Sequence, residues 1–121
     1  VEGFDTALAE GCMLLTPFVA TAEDEATQAF VSKYEEDYGE TPNQFAADAY
    51  DAVYILYEAI KAAGSAEPAD VLAALPSVSY EGVSGLIEFD EIGDAKRDAA
   101  YIKTANTETG EWEFVTVQGV E

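Results

Sequence analysis

The residues with the most evident capacity for chemistry in this chain are carboxylates. Asp48 and Asp51 stand three apart in QFAADAYDA, which puts both on one face of a helix. A pair of carboxylates is the minimum that an acid hydrolase working by general acid–base catalysis requires. Nothing near them marks a raised pKa or a pocket, and they compete with the rest of 25 acidic residues. Other chemistries are excluded by composition. There is no histidine and a single cysteine, Cys12, so Cys/His zinc sites and the usual nucleophile–base dyads cannot be assembled within the chain. A lone cysteine forms no internal disulfide and leaves the redox compartment open; within Cys12-Met13-Leu14-Leu15 it reads as a buried small hydrophobe. The segment Asp90 to Asp94 is rich in oxygen, but it lacks the ligand spacing of a calcium loop and reads as a turn closed by Gly93. No catalytic residue, metal site or cofactor is expected.

The element that must present these residues is a helix from Thr41 to Gly64. Thr41 is its expected cap, Pro42 suits the first position, Gln44 completes a Thr-x-x-Gln capping box, and Gly64 stands just past the last turn. Phe45, Ala49, Ala52, Leu56, Ala59 and Ala63 form one apolar seam at spacings of three and four. Tyr50, Val53, Tyr54, Tyr57 and Ile60 form a second apolar side, and Gln44, Asp48, Asp51, Glu58 and Lys61 a polar stripe. Most of the circumference therefore needs cover. Tyr50 and Asp51 read as structural, with Asp51 turned to solvent or to a neighbouring N–H.

Taken in order, residues 1–10 suggest a short helical turn broken by Gly11. CMLLTPF, bounded by Gly and Pro, fits a buried strand of a parallel sheet. Thr21 and Asp24 then predict a capping box for a helix running to Gly39, with Ala26, Phe30, Tyr34 and Tyr38 as its buried stripe. A short helix from Ser65 and Pro68 to Leu75 buries Val71, Leu72 and Leu75, and Pro76 stops it. Strands follow at Ser84 to Phe89, Ala99 to Ala105 and Glu111 to Val117, the last with Trp112, Phe114 and Thr116 on one face. The order is strand, helix, helix, short helix, antiparallel strands. A lone buried strand and a helix that is apolar nearly all round want partners that 121 residues of this pattern do not supply. The expectation is a fragment of a larger α/β protein, or a chain completed by an oligomeric partner.

Charge narrows the partners. Five basic residues against 25 acidic ones give a formal charge of −20. Such a field repels nucleic-acid backbones and anionic membrane surfaces, and scattered carboxylates of this kind usually form a solvated, salt-tolerant surface. No apolar run is long enough to span a bilayer, and the first residues lack the basic start of a signal peptide.

PFVAT, FVSKYEEDYGETPNQFAADAYDAVYILYEAI, YEGVSGLIEFDEIGD and the closing GEWEFVTV, in this order and spacing, are specific when taken together. They resemble the C-terminal part of the type I periplasmic-binding fold, the extracytoplasmic substrate-binding proteins of branched-chain amino acid ABC transporters, over essentially all of residues 10–118. The resemblance implies two α/β lobes joined by crossing strands, with an amino acid or similar small polar ligand held in the interlobe cleft. It implies a transporter permease as partner of the full-length protein, and a location in the periplasm or on a prokaryotic cell surface. A sensor domain of the same fold is the related alternative. Residues 1–18 would correspond to a second-lobe strand entering a crossing, 19–80 to the helical part of the first lobe, and 81–121 to a β segment returning to the crossing. A fragment lacking its partner strands would self-associate.

In such folds ligands lie at strand ends and helix starts near crossings. Phe45 matches a position where family members present an aromatic ring to ligand; its alternative role is a core residue of the small-residue seam. Thr16, Pro17 and Phe18 sit where the chain would leave the strand, with Pro17 as hinge and Thr16 and Phe18 as contacts or packing.

Overall fold

The computed structural model describes residues 5–119. A 3₁₀ turn, Thr6–Ala9, leads into strand β1, Met13–Thr16. Three helices follow: α1, Glu25–Tyr38; α2, Gln44–Ala63; and α3, Pro68–Ala74, which passes into a 3₁₀ turn at Leu75–Ser77. Strands β2 (Tyr80–Gly82), β3 (Gly85–Phe89), β4 (Ala95–Lys96), β5 (Ala99–Ala105) and β6 (Trp112–Gly119) complete the chain. The expected order is present. β2 and β4 are additions, each too short for alternation to announce it. Residues 1–4, part of the predicted first turn, lie outside the described residues.

Helix starts differ from expectation by two or three residues. Asp24 caps α1 by accepting the Thr27 N–H at 2.8 Å, and Asn43 caps α2 by accepting the N–H groups of Phe45 and Ala46. Thr21 and Thr41 are not the caps. The short planar side chains of Asp and Asn reach the first free N–H groups at least as well as threonine does. Released from capping, Thr41 donates to Glu35, and Gln44 turns to Thr16 rather than closing a capping box. Both helices end as expected on glycines in the left-handed region, Gly39 at φ 74° and Gly64 at φ 63°.

The strands form two antiparallel sheets, ordered β1-β5-β6 and β2-β3-β4. The segment expected to be a buried parallel strand is therefore an edge strand, with Leu15 opposite Ile102. Met13 and Leu15 are mostly exposed and Cys12 is exposed rather than buried. The reason is the absence of cover: among the described residues no strand pairs with the other edge of β1. In β6 the register jumps from Phe114 to Thr116, so Val115 is an extra residue and the expected one-face run of Trp112, Phe114 and Thr116 is broken by a bulge. The Asp90 turn is as expected, with Gly93 at φ 89°. Asp90 accepts the N–H groups of Asp94 and Ile92, and these bonds hold its carboxyl below the usual aspartate range.

Two apolar clusters make the core. Phe18, Phe30, Val31 and Ala47 form one, at the join of α1 and α2. Ile55, Ala59, Val71, Val78 and Ile87 form the other, where α2 meets α3 and the β2–β3 hairpin. In α1 the buried face is Thr27, Phe30 and Val31; Tyr34 is half-buried, whereas Ala26 and Tyr38, expected inside, face outward. In α2 the buried row is Ala47, Asp51, Ile55 and Ala59. Only Ala59 belongs to the predicted seam, and Leu56, Val53 and Tyr57 are all exposed. In α3, Val71 is buried and Leu72 is not.

The two aromatics expected on one stripe of α1 separate in their energetic weight. Phe30→Ala removes a ring that packs edge-on against Phe18 at 5.9 Å and tilted against Tyr50 at 4.9 Å, so it is expected to cost about 3 kcal/mol. Tyr38→Ala, at a residue 69% exposed, is expected to cost well under ~1 kcal/mol. Urea unfolding of both variants measures the difference.

Candidate functional site

Three of the sequence-predicted site residues, Thr16, Phe18 and Phe45, line one cleft, and Pro17 stands between the first two in the chain. β1 ends at Thr16, the chain bends through Pro17, and Phe18 follows; α2 begins opposite, so Asn43, Gln44 and Phe45 face the same space. The far wall is Lys103 of β5 with Trp112 and Phe114 of β6. The cleft measures about 650 Å³, within the range of small-molecule sites.

Each wall residue has a defined setting. Thr16 is buried; its hydroxyl donates to Gln44 Oε1 at 2.6 Å and accepts the Phe18 N–H at 3.4 Å. This link ties the end of β1 to the first turn of α2, and it is the reason Gln44 is unavailable as a capping partner. Phe18 is buried against Phe30 and backs the cleft. Phe45 is 73% exposed. Of its two expected roles, core residue of the seam is therefore not the one this structure supplies. The start of α2 has its Phe45 and Ala46 N–H groups already taken by Asn43, so its dipole is partly answered from within the chain. Lys103 and Glu113 bring one charge of each sign, and Asn106 donates to Glu113 at 2.6 Å.

Sequence reasoning missed Gln44, Lys103 and Trp112 as wall residues. Trp112 carried a usable signal, being the single tryptophan, on a strand with an exposed face. Gln44 and Lys103 carried none, because their place depends on pairings 28 and 89 residues away, to Thr16 and to Leu14 respectively.

A second, larger cleft of about 830 Å³ runs between α1, α2 and β2 and is dominated by Phe30, Tyr34, Tyr38, Tyr50 and Tyr80. The Tyr50 phenol bonds to Tyr54, and this bond with burial pushes its pKa up to about 12. Burial raises that of Tyr80. Neither phenol can supply a base near neutral pH. Asp48 and Asp51 line neither cleft: Asp48 pairs with Arg97 at 3.0 Å, and Asp51 accepts from Val83 and Ser84. The paired carboxylates that suggested hydrolysis are both engaged by structural partners. Among the described residues no group of three or more His, Cys, Asp or Glu side chains is placed to hold a metal, and no helix is long and apolar enough to cross a membrane.

Thr16→Val keeps the shape of the side chain and removes the hydroxyl that joins β1 to Gln44. The expected loss is about 1 kcal/mol, read from the shift of the urea midpoint at unchanged slope.

Known proteins are similar to this chain in sequence and in fold. A family model described as periplasmic binding protein matches residues 1–109. A leucine-, isoleucine-, valine-, threonine- and alanine-binding protein of Pseudomonas aeruginosa is 32% identical over 84 residues, which is 69% of this chain and 22% of that protein. An ABC transporter substrate-binding protein of Desulfitobacterium hafniense, solved in complex with leucine, is 33% identical; the match covers 92% of this chain and 33% of that one, at a TM-score of 0.77. A branched-chain amino acid transporter substrate-binding protein of Streptococcus pneumoniae, solved with isoleucine, is 28% identical over 95% of this chain and 32% of that one, at a TM-score of 0.74. The chain thus spans about a fifth of the curated relative and about a third of the solved ones.

Proposed function

Because the chain belongs to the periplasmic binding protein family, we propose that it is part of an extracytoplasmic solute-binding protein of an ABC transporter and contributes one wall of an amino-acid site. Its mixed α/β fold is of the type I periplasmic-binding kind, in partial form. The observation that carries the reading is the convergence of Thr16, Phe18 and the bare ring of Phe45 on one cleft of about 650 Å³. Phe45 supplies an apolar surface for an aliphatic side chain, Phe18 stiffens the floor, and Thr16 holds β1 against α2. Pro17, between the strand end and the floor, serves as hinge. The ligand class is a small aliphatic amino acid, supported by the leucine and isoleucine bound to relatives of 33% and 28% identity. Closure on ligand would be read by a membrane permease. No catalytic step is assigned.

The test is calorimetric titration of leucine into the intact protein. Phe45→Ala is expected to weaken binding by about tenfold, equivalent to ~1.4 kcal/mol, while Leu72→Ala, exposed on α3 away from the cleft, leaves it unchanged. Equal affinity in Phe45→Ala and the unaltered protein would remove Phe45 from the site.

A second property follows from the exposed apolar residues of α2, Val53, Leu56 and Tyr57. Patches of this kind mark contact surfaces. The 121-residue chain alone is therefore expected to self-associate, and light scattering at tens of micromolar should give a molar mass above the 12.9 kDa of one copy. A monodisperse monomer would count against it.

A further inference from the structure

One side-chain network lies where the β1-β5-β6 sheet joins the helical body, and the cleft does not contain it. Arg97 and Asp98 are the whole connection between β4 and β5. The Arg97 guanidinium donates through Nη1 to the Ser84 carbonyl at 2.7 Å and to Ser84 Oγ at 3.0 Å, and through Nη2 to Asp48 Oδ1 at 3.0 Å. Ser84 is itself buried and held from the other side, its hydroxyl donating to Asp51 Oδ2 at 2.5 Å and its N–H to the same oxygen at 2.9 Å. One guanidinium therefore bridges α2, the Val83–Ser84 turn and the connection that leads into β5. Its planar fork engages two acceptors in different directions at once, which a lysine ammonium on a flexible stem does with much less constraint.

The positions of the bridged elements give this network a consequence at the cleft. Asp48 stands one helical turn beyond Gln44 and Phe45, which form one wall. β5 begins two residues after Arg97, carries Lys103 on the other wall and has β6, with Trp112 and Phe114, alongside it. The second tie between the walls, Thr16 to Gln44, acts through β1 at the opposite edge of the same sheet. With one edge tied through Thr16 and the central strand tied through Arg97, two residues before it begins, the angle between sheet and α2 has two fixed points.

We propose that Arg97 is a positioning residue that sets the angle of the β1-β5-β6 sheet to α2, and with it the width of the cleft between Phe45 and Trp112. Its effect on ligand affinity rests on the reading of that cleft as the ligand site; its effect on width does not. Arg97 touches no cleft atom, so it acts only through the placement of the walls, by changing the fraction of molecules whose walls are correctly spaced.

The test uses the intact protein in a Cys12→Ser background, with spin labels at cysteines introduced at Ala52 on α2 and Glu111 before β6. Arg97→Gln is expected to broaden and shift the distance distribution between the labels and to weaken leucine binding by about tenfold. Arg97→Lys, which keeps the charge but not the fork, should give an intermediate distribution. Asp48→Asn removes only the α2 arm of the bridge and should reproduce the broadening even if Arg97→Gln fails to fold. Distributions in folded Arg97→Gln or Asp48→Asn that coincide with the unaltered protein would overturn the proposal. Weaker binding at an unchanged distance would likewise overturn it, because Arg97 would then act other than by position. If the unaltered protein does not bind leucine, the ligand-site reading falls, and the label distances still decide whether Arg97 sets the width.

Discussion

The structure depends on one buried carboxylate. Asp51 sits in the middle of α2, 0% exposed, between the two apolar clusters. Taking an ionised carboxylate out of water costs several kcal/mol unless donors replace the lost solvent. Here three do: the Val83 N–H at 3.0 Å, the Ser84 N–H at 2.9 Å and the Ser84 hydroxyl at 2.5 Å. The arrangement requires glycine at position 82, where a Cβ would overlap the Asp51 carboxylate. A turn that answers a buried charge can dock in only one register. The hairpin of β2 and β3 therefore meets α2 with Ile87 in the cluster that holds Ile55 and Ala59, and with Val83 packed against the cluster that holds Ala47 and Phe30.

That constraint explains which face of α2 is used. The helix is apolar over most of its surface, yet the row it buries within this chain is the one containing its aspartate. A purely hydrophobic face could have been satisfied by many partners at many angles; the row with Asp51 is satisfied by one turn alone. The apolar sides left over, with Val53, Leu56 and Tyr57, remain uncovered by the described chain. α2 is thus a helix built for neighbours on more than one side, in keeping with a chain that spans about a third of its solved relatives.

Charge follows the same division between local and tertiary roles. Of five basic residues, Lys33 and Lys61 pair with acids three and four positions away on their own helices, and these pairs raise their pKa values. Such exposed pairs follow from helical spacing alone and add little. Arg97 is different in kind, because its partners are 13 and 49 residues distant and it stands at a joint between elements. In a chain of net charge −20, one cation placed there joins α2 to the Val83–Ser84 turn and to the connection that leads into β5.

The sequence by itself determined whatever depends on a few neighbouring residues. The helix ends at Gly39 and Gly64, the Gly93 turn, the seven residues of β5 and the order of the helices and the longer strands could all be read from it, because left-handed glycines and period-two alternation act within one or two turns of chain. So could the family, from the order of several weak motifs. What tertiary structure alone decided is which faces are inside. Seam, stripe and second side of α2 are equally plausible on hydrophobicity, and a polar residue is assigned to solvent unless its donors are known. Those of Asp51 lie 32 and 33 residues away, and no local pattern encodes a pairing at that distance. For the same reason the role of Gln44 was misassigned: a side chain that can cap its own helix or bond Thr16 across the cleft is settled by where β1 ends, which is a property of the folded chain.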